Sequence, residues 1–247
     1  DYFIDQSIDM KTKIEVTETL DGPVATEMAA LAQKLGVYVV FGMSEKFDGS
    51  DTLYNSAVAL GPKGLIGSYQ KIHPYGTENL WCAKGDKPFM LETEWGPIAL
   101  GICYDSYQFP ELVRYYVYKG ARLYLNPTAV TEQVPLEGSR TQFIRCYTPH
   151  LEYLVLSSSI YIASSNLTGY DGSCYFGGGS MIIGPKTNAF DEVDVVCYAG
   201  DDNDYQAGVY IATIDLSLGN RHQCVVNPHA GTPDYRPEIY KKLFDEI

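Results

Sequence analysis

The chain has 247 residues, a formal net charge of −13, 45% hydrophobic residues and 20% charged residues. This length is enough for one domain with a sizeable core. The acidic balance argues against a nucleic-acid backbone or an anionic membrane surface as the partner. No apolar run approaches the length that spans a bilayer. Six cysteines form no Cys-x-x-Cys pair, so we expect no metal site and a reducing, cytoplasmic compartment.

The first third of the chain alternates helical and strand patterns. Residues 1–19 predict a loop with a short helical piece. Apolar residues recur at helical spacing over 24–35 and Gly36 ends the run, after which 37–41 predict a buried strand. Residues 53–60 and 65–69 predict two strands joined by a hairpin turn. The polar segment 71–87 predicts a loop whose length is typical of functional loops.

The segment 96–105 (GPIALGICYD) combines a strand pattern with a reactive side chain. Its apolar run ends at Cys103, and FPEL at 109–112 begins a helical pattern that continues to Tyr118. A strand, a sharp turn and a helix can hold a nucleophile at the end of a buried strand. The alternative is that Cys103 packs in the core as a small apolar side chain.

The rest of the chain continues the mixed pattern. Residues 138–159 predict a helix, and 237–247 predict a closing amphipathic helix. Strands are predicted at the remaining apolar runs, which are residues 121–127, 161–165, 181–183, 193–198 and 208–214. The acidic stretch around Asp201, Asp202 and Asp204 predicts a solvated loop rather than a cation-binding one. Without repeats or a linker, residues 1–247 are expected to form one α/β domain.

A thiol nucleophile needs a nearby cation or base, and its intermediate needs hydrogen-bond donors. None of the four histidines follows a strand beside an obvious carboxylate, so a cysteine–histidine pair has no support. Lys71 follows the strand 65–69 directly and is a different partner for Cys103.

Several blocks of the chain resemble the nitrilase, or carbon–nitrogen hydrolase, superfamily. The first block is LYNSA at 53–57 with GSYQKIH at 67–73, and the second is GICYD at 101–105 with FPE at 109–111 and Arg114. The third block contains Asn166, Gly169, Gly177, Gly179, Ser180, Gly184 and Pro185. The last block is DYRPEIY at 234–240. All of them occur in the order of that family and cover nearly the whole chain.

The resemblance implies an α-β-β-α sandwich and chains that pair as homodimers or larger assemblies. It matches Cys103 to the nucleophile, Lys71 to the lysine that stabilises the tetrahedral intermediate, and Glu78 to a glutamate that positions substrate or water. The Tyr104 N–H completes the oxyanion site, and Asp105 and Asn126 are assigned to the residues that contact the oxyanion or substrate.

Two departures from the family accompany this match. The family's general base lies in a Pro-Glu segment after a first strand, and neither has a counterpart in the sequence, which opens with DYF. We therefore expect the sequence to be a fragment of a longer chain. Residues 156–160 are LSSSI, where many family members have Arg-Ala-x-Glu-Asn. The substrate preference is therefore expected to differ from that of those members.

The resemblance implies a cysteine-dependent hydrolase that cleaves a non-peptide C–N bond of a small amide or nitrile through a thioester. It implies no metal or organic cofactor. Two alternatives stay open at this point. One is an N-carbamoyl-amine hydrolase or acyltransferase on the same scaffold. The other is a non-catalytic binding protein that lacks the base.

Overall fold

The computed structural model describes residues 8–132, 140–171, 175–187, 192–199 and 207–246. The helices are α1 (Met10–Val16), α2 (Pro23–Leu35), α3 (Tyr104–Gln108), α4 (Pro110–Lys119), α5 (Arg140–Ser158) and α6 (Pro237–Phe244). The strands are β1 (Val39–Lys46), β2 (Leu53–Gly61), β3 (Gly64–Gln70), β4 (Met90–Thr93), β5 (Gly96–Leu100), β6 (Leu123–Thr128), β7 (Thr131–Glu132), β8 (Tyr161–Asn166), β9 (Thr168–Tyr170), β10 (Tyr175–Gly177), β11 (Ser180–Pro185) and β12 (Val193–Ala199).

Strands β1, β2 and β3 form an antiparallel sheet with β2 in the centre. The apolar run of β2 is buried on both faces: Val58 and Leu60 pack toward α2, whereas Ala57 and Ala59 face the second sheet. Helix α2 ends at Gly36, whose φ of 66° is accessible to glycine without strain. This arrangement explains why the segment has a continuous apolar pattern rather than an alternating one.

A second sheet has the strand order β12-β11-β8-β6-β5-β4. Its strands β5, β6 and β8 are parallel, and the intervening chain contains α4 and α5, which cover the outer face of the sheet. Tyr116 of α4 and Leu151 of α5 are buried there against Tyr124 of β6. Strands β7, β10 and β9 form a small third sheet.

The two larger sheets pack face to face, with helices on both outer faces, which confirms the predicted α-β-β-α sandwich. Tyr69, Leu91, Leu100 and Ile102 are buried between the sheets. Strand β3 belongs to one sheet and β5 to the other. The residues that follow these two strands therefore meet at one edge of the interface.

The strand predicted over residues 208–214 is wrong. Residues 207–215 pair with no strand of the described chain, and the Val209 and Ile211 side chains are 88% and 85% exposed. Strand propensity mostly reflects packing on neighbouring strands, so β-branched residues alone do not form a strand. The acidic stretch of Asp201, Asp202 and Asp204 lies outside the described residues, as does the opening DYF.

Several short elements escaped the sequence patterns. Helix α3 has five residues, and β4, β7, β9 and β10 have two to four each, which is too short for a periodic signal. A 3₁₀ turn, Gly76–Leu80, lies within the predicted loop 71–87. None of the described helices combines the length and apolarity that crossing a membrane requires.

The packing between the sheets yields a stability prediction. Leu100→Ala should lower the free energy of unfolding by about 2–5 kcal/mol, because Leu100 is fully buried and its removal leaves a cavity. The matched control is Leu65→Ala, since Leu65 is 46% exposed on β3 and its loss should cost less than about 0.5 kcal/mol. Urea unfolding measures both. Equal losses would contradict this description of the core.

Candidate active site

Cys103 lies at a strained turn between β5 and α3. Its φ is 50° and its ψ is −106°, a conformation that is costly for a residue with a Cβ. The Cys103 N–H donates to Asn126 Oδ1 at 2.8 Å and to the Pro127 carbonyl at 3.2 Å. These bonds hold the turn in place. A nucleophile on such a turn is exposed at the end of its strand.

Gly101 lies two residues before Cys103, at a point where no side chain would fit. A Cβ built on Gly101 would lie 1.8 Å from the Tyr124 hydroxyl oxygen. The Gly101 N–H donates to the Leu125 carbonyl of the neighbouring strand, so the backbone has no freedom to move away. The glycine of the GICYD motif therefore has a steric role beside the cysteine.

Cys103 opens into a cavity of about 540 Å³ between the two sheets. This volume suits a small organic ligand. Lys71 and Glu78 line the same cavity, so the structure brings together the three side chains that the sequence singled out for chemistry. The other lining residues are mostly apolar or uncharged: Val40, Phe41, Gly42, Met43, Ser44, Asn55, Trp81, Ile102, Pro127, Thr128, Ala129, Ser165, Asn166 and Leu167.

Lys71 and Glu78 form an ion pair in this wall, in which the lysine is buried and the glutamate is half-buried. Lys71 Nζ lies 2.6 Å from Glu78 Oε2, and the lysine side chain is only 1% exposed. Glu78 also accepts the Tyr75 N–H at 2.6 Å and the Asn55 side-chain amide at 3.1 Å. A buried ammonium is costly without a countercharge, and Glu78 supplies it. The pair places a lysine ammonium in the wall of the cavity that Cys103 also lines.

Asp105 and Asn126 do not line the cavity that contains Cys103. Both side chains are fully buried, and the polar atoms of each bind other protein groups. Asn126 Oδ1 accepts from the Cys103 N–H and from the Ser106 hydroxyl at 2.7 Å, while its amide donates to Ser164 at 3.0 Å. Contact with the oxyanion or substrate was expected for both residues. The structure instead places them behind the cavity wall, because their polar groups are used to hold the turn.

Tyr104 is the first residue of α3, and its N–H therefore has no acceptor within the helix. Its ring packs against Tyr75 and Phe109, with ring centroids 4.9 and 5.3 Å away. Donation from this N–H to an oxyanion stays a prediction.

One histidine lies beside a carboxylate, contrary to the sequence-based expectation. His73 Nδ1 is 2.8 Å from Asp105 Oδ1, and the His73 ring stacks on Phe109 with centroids 3.6 Å apart. The two residues are 32 positions apart, so only the packing of β3 against β5 reveals the pair. Sequence reasoning also missed Trp81 and Thr128 as cavity residues, since an isolated Trp or Thr carries no local signal.

Within the described residues, no three His, Cys, Asp or Glu side chains form a group that could hold a metal ion.

Cys82 is a second thiol near the ion pair. Burial, followed by the nearby Glu78 carboxylate, raises the pKa of Cys82 to about 11. The geometry thus supports thiol chemistry at Cys103, in the cavity that Lys71 also lines.

Comparison with known proteins assigns the family. The carbon-nitrogen hydrolase family model matches residues 3–220, and the chain belongs to this family. A nitrilase of Pyrococcus abyssi is 30% identical over 220 residues, which are 87% of this chain and 74% of the relative. A formamidase of Bacillus cereus is 31% identical over 180 residues, which are 70% of this chain and 51% of the relative.

Solved structures agree with the fold. A carbon-nitrogen hydrolase from Helicobacter pylori matches with a TM-score of 0.71 at 24% identity, covering 90% of this chain and 75% of that one. An amidase from Nesterenkonia sp. matches with a TM-score of 0.65 at 22% identity, covering 89% of this chain and 72% of that one. The α-β-β-α architecture is therefore shared with enzymes of this family.

The contrast between the two thiols is testable by alkylation. At pH 8 a thiol with a pKa of about 11 is ionised in only about one molecule in a thousand, so iodoacetamide should leave Cys82 unmodified in the folded protein. Cys103 faces the cavity and should be labelled. Peptide mass mapping with and without urea measures both sites. Equal labelling in the folded state would refute the assignment.

Proposed function

We propose that this protein is a cysteine-dependent hydrolase of small amides or nitriles, acting on non-peptide C–N bonds through a thioester. The observation that supports the proposal most strongly is the shared cavity: Cys103 at its strained turn and the Lys71–Glu78 ion pair line one space of small-molecule size. A nucleophilic thiol, a fixed cation and a carboxylate are the groups that this chemistry requires.

For an amide, Cys103 Sγ attacks the carbonyl carbon and a C–S bond forms. The carbonyl oxygen becomes an oxyanion, which the Lys71 ammonium and the Tyr104 N–H stabilise. The C–N bond then breaks, the nitrogen takes the proton that the Cys103 thiol has lost, and ammonia or an amine leaves. Cys103 remains as a thioester.

Water then attacks the thioester, the C–S bond breaks, and the acid leaves as Cys103 returns to a thiol. This step needs a general base. Among the described residues that line the cavity, Glu78 has the carboxylate side chain. Its Oε2 already accepts hydrogen bonds from the Lys71 ammonium and from the Tyr75 N–H. We assign Glu78 to holding Lys71 and positioning substrate. The resemblance places the base in a Pro-Glu segment that has no counterpart in this sequence.

The relatives support this chemistry. A mutant of the Nesterenkonia amidase carries the acetamide moiety of fluoroacetamide added covalently at its active site cysteine. Another mutant, in which a cysteine is replaced by alanine, was solved in complex with butyramide. Short uncharged amides are therefore the first substrates to screen, together with formamide and simple nitriles, as the names of other relatives suggest.

The proposal predicts that Cys103→Ala abolishes ammonia release from any amide that the wild-type protein hydrolyses. The loss should be at least about a thousandfold, because the covalent route is removed. The matched control is Cys224→Ala, a half-buried thiol that does not line the cavity, and it should keep the wild-type rate. Turnover that survives Cys103→Ala would overturn the mechanism.

Glu78→Gln should lower kcat by about a hundredfold or more, since the glutamine keeps the shape but removes the charge that pairs with Lys71. Glu111→Gln, at an exposed glutamate of α4, is the matched control. Ammonia release is measured for both variants. Equal rates of ammonia release by the two variants would contradict a role for Glu78 in catalysis.

Adding hydroxylamine to the wild-type enzyme tests the acyltransferase alternative. A hydrolase should yield mainly the acid, whereas an acyltransferase should yield mainly the hydroxamate. A folded protein that binds amides but releases no ammonia would favour the non-catalytic alternative.

We further propose that residues 1–247 form one domain that assembles as a homodimer or larger homo-oligomer in a reducing, cytoplasmic compartment. The family match over residues 3–220 supports one domain. Self-association through the outer helices is supported by their exposed aromatic side chains, which are Tyr115, Tyr118 and Tyr153. Light scattering tests for a mass of at least twice 27.4 kDa.

A reducing compartment is supported by the four cysteines with described side chains, which are all free thiols: Cys82, Cys103, Cys197 and Cys224.

A further inference from the structure

We propose that Asp105 is a positioning residue that fixes Lys71 relative to Cys103, although it does not touch the cavity. This inference rests on the proposed function, because it concerns the geometry of the same site. Asp105 is fully buried, which is rare for a carboxylate that serves no purpose.

Four hydrogen bonds converge on the Asp105 carboxylate. Oδ2 accepts from the Tyr69 hydroxyl at 2.9 Å and from the Ile102 N–H at 3.0 Å. Oδ1 accepts from the His73 N–H at 3.0 Å and from His73 Nδ1 at 2.8 Å, a contact in which the ring must donate because a carboxylate only accepts. Buried carboxylates persist when their oxygens are satisfied in this way.

These donors come from both sides of the site. Tyr69 and His73 stand two residues before and two residues after Lys71, so they hold the backbone that carries the lysine. Ile102 directly precedes Cys103, so it holds the strained turn. The Asp105 side chain thus links the smaller sheet, which carries the cation, to the larger sheet, which carries the thiol.

Further contacts keep this link rigid. The His73 ring stacks on Phe109 with an interplanar angle of 7°, and the Tyr69 hydroxyl also accepts the Ile72 N–H at 3.3 Å. Each donor is thereby aimed at Asp105 before substrate arrives. Catalytic rates are sensitive to such alignment, since a displacement of about 1 Å can cost a hundredfold in rate.

Asp105→Asn tests the link with little change in volume. The asparagine presents one NH₂ group where four donors converge, so at least one donor–donor contact must open. We expect kcat to fall about 10- to 100-fold, with KM changed less than about threefold, because alignment and not binding is lost. Asp9→Asn is the matched control: this exposed residue caps α1, and asparagine caps helices equally well.

The readout separates positioning from folding. The folded fraction of each variant is measured by circular dichroism and urea unfolding, and kcat is expressed per folded molecule. A variant that loses only stability has a smaller folded fraction but keeps its rate per folded molecule, and that result would overturn the proposal. If Asp105→Asn does not fold, Tyr69→Phe replaces it in the test, since this change removes one donor and keeps the ring. A rate per folded molecule equal to wild type would then overturn the proposal.

A failure of the proposed hydrolase function can be distinguished from a failure of the positioning role of Asp105. If the wild-type protein turns over no amide or nitrile, the alignment is measured without turnover, from the rate at which iodoacetamide alkylates Cys103. The rate should differ from wild type by at least about threefold in Asp105→Asn and not in Asp9→Asn, because the turn that presents the thiol loses a hydrogen bond that holds it. Equal rates would reject a positioning role for Asp105.

Discussion

The ion pair between the buried Lys71 and the half-buried Glu78 is the constraint on which the site depends. An ammonium that is 1% exposed persists only with a countercharge nearby, and Glu78 follows it by seven residues. The Gly76–Leu80 turn reverses the direction of the chain so that Glu78 faces Lys71. The side-chain amide of Asn55 in β2 donates a hydrogen bond to the second carboxylate oxygen of Glu78. The unusual length of the loop after β3 is explained by this return.

The strained turn at Cys103 shows how the fold stabilises its costly backbone. Asn126 and the Pro127 carbonyl both accept the Cys103 N–H, and Asn126 is itself fixed by Ser106 and Ser164. These groups are buried, where hydrogen bonds are strong and unsatisfied atoms are costly. The strain is therefore held by a polar layer behind the cavity, and the cavity side of the thiol stays open to substrate.

The sequence predicted the layers of the fold and missed the long-range polar contacts. Helix α2 and the hairpin of β2 and β3 have strong periodicity and turn signals, so local physics suffices to find them. The segment 208–214 has strand composition but no strand partner, and pairing is a tertiary property. The His73–Asp105 contact has no local signal either, because β3 and β5 belong to different sheets.

Neighbours within the GICYD motif have unlike roles, and helix geometry gives the reason. Successive residues at the start of α3 are rotated by about 100° from one another, so their side chains leave the backbone in different directions. Cys103 lines the cavity, the Tyr104 ring packs on Tyr75 and Phe109, and Asp105 lies between the sheets. A motif therefore marks a site without stating which of its residues meet substrate. In this chain Lys71 and Cys103 meet the cavity from the ends of two separate strands, and the residues beside them in sequence hold those ends in place through Asp105.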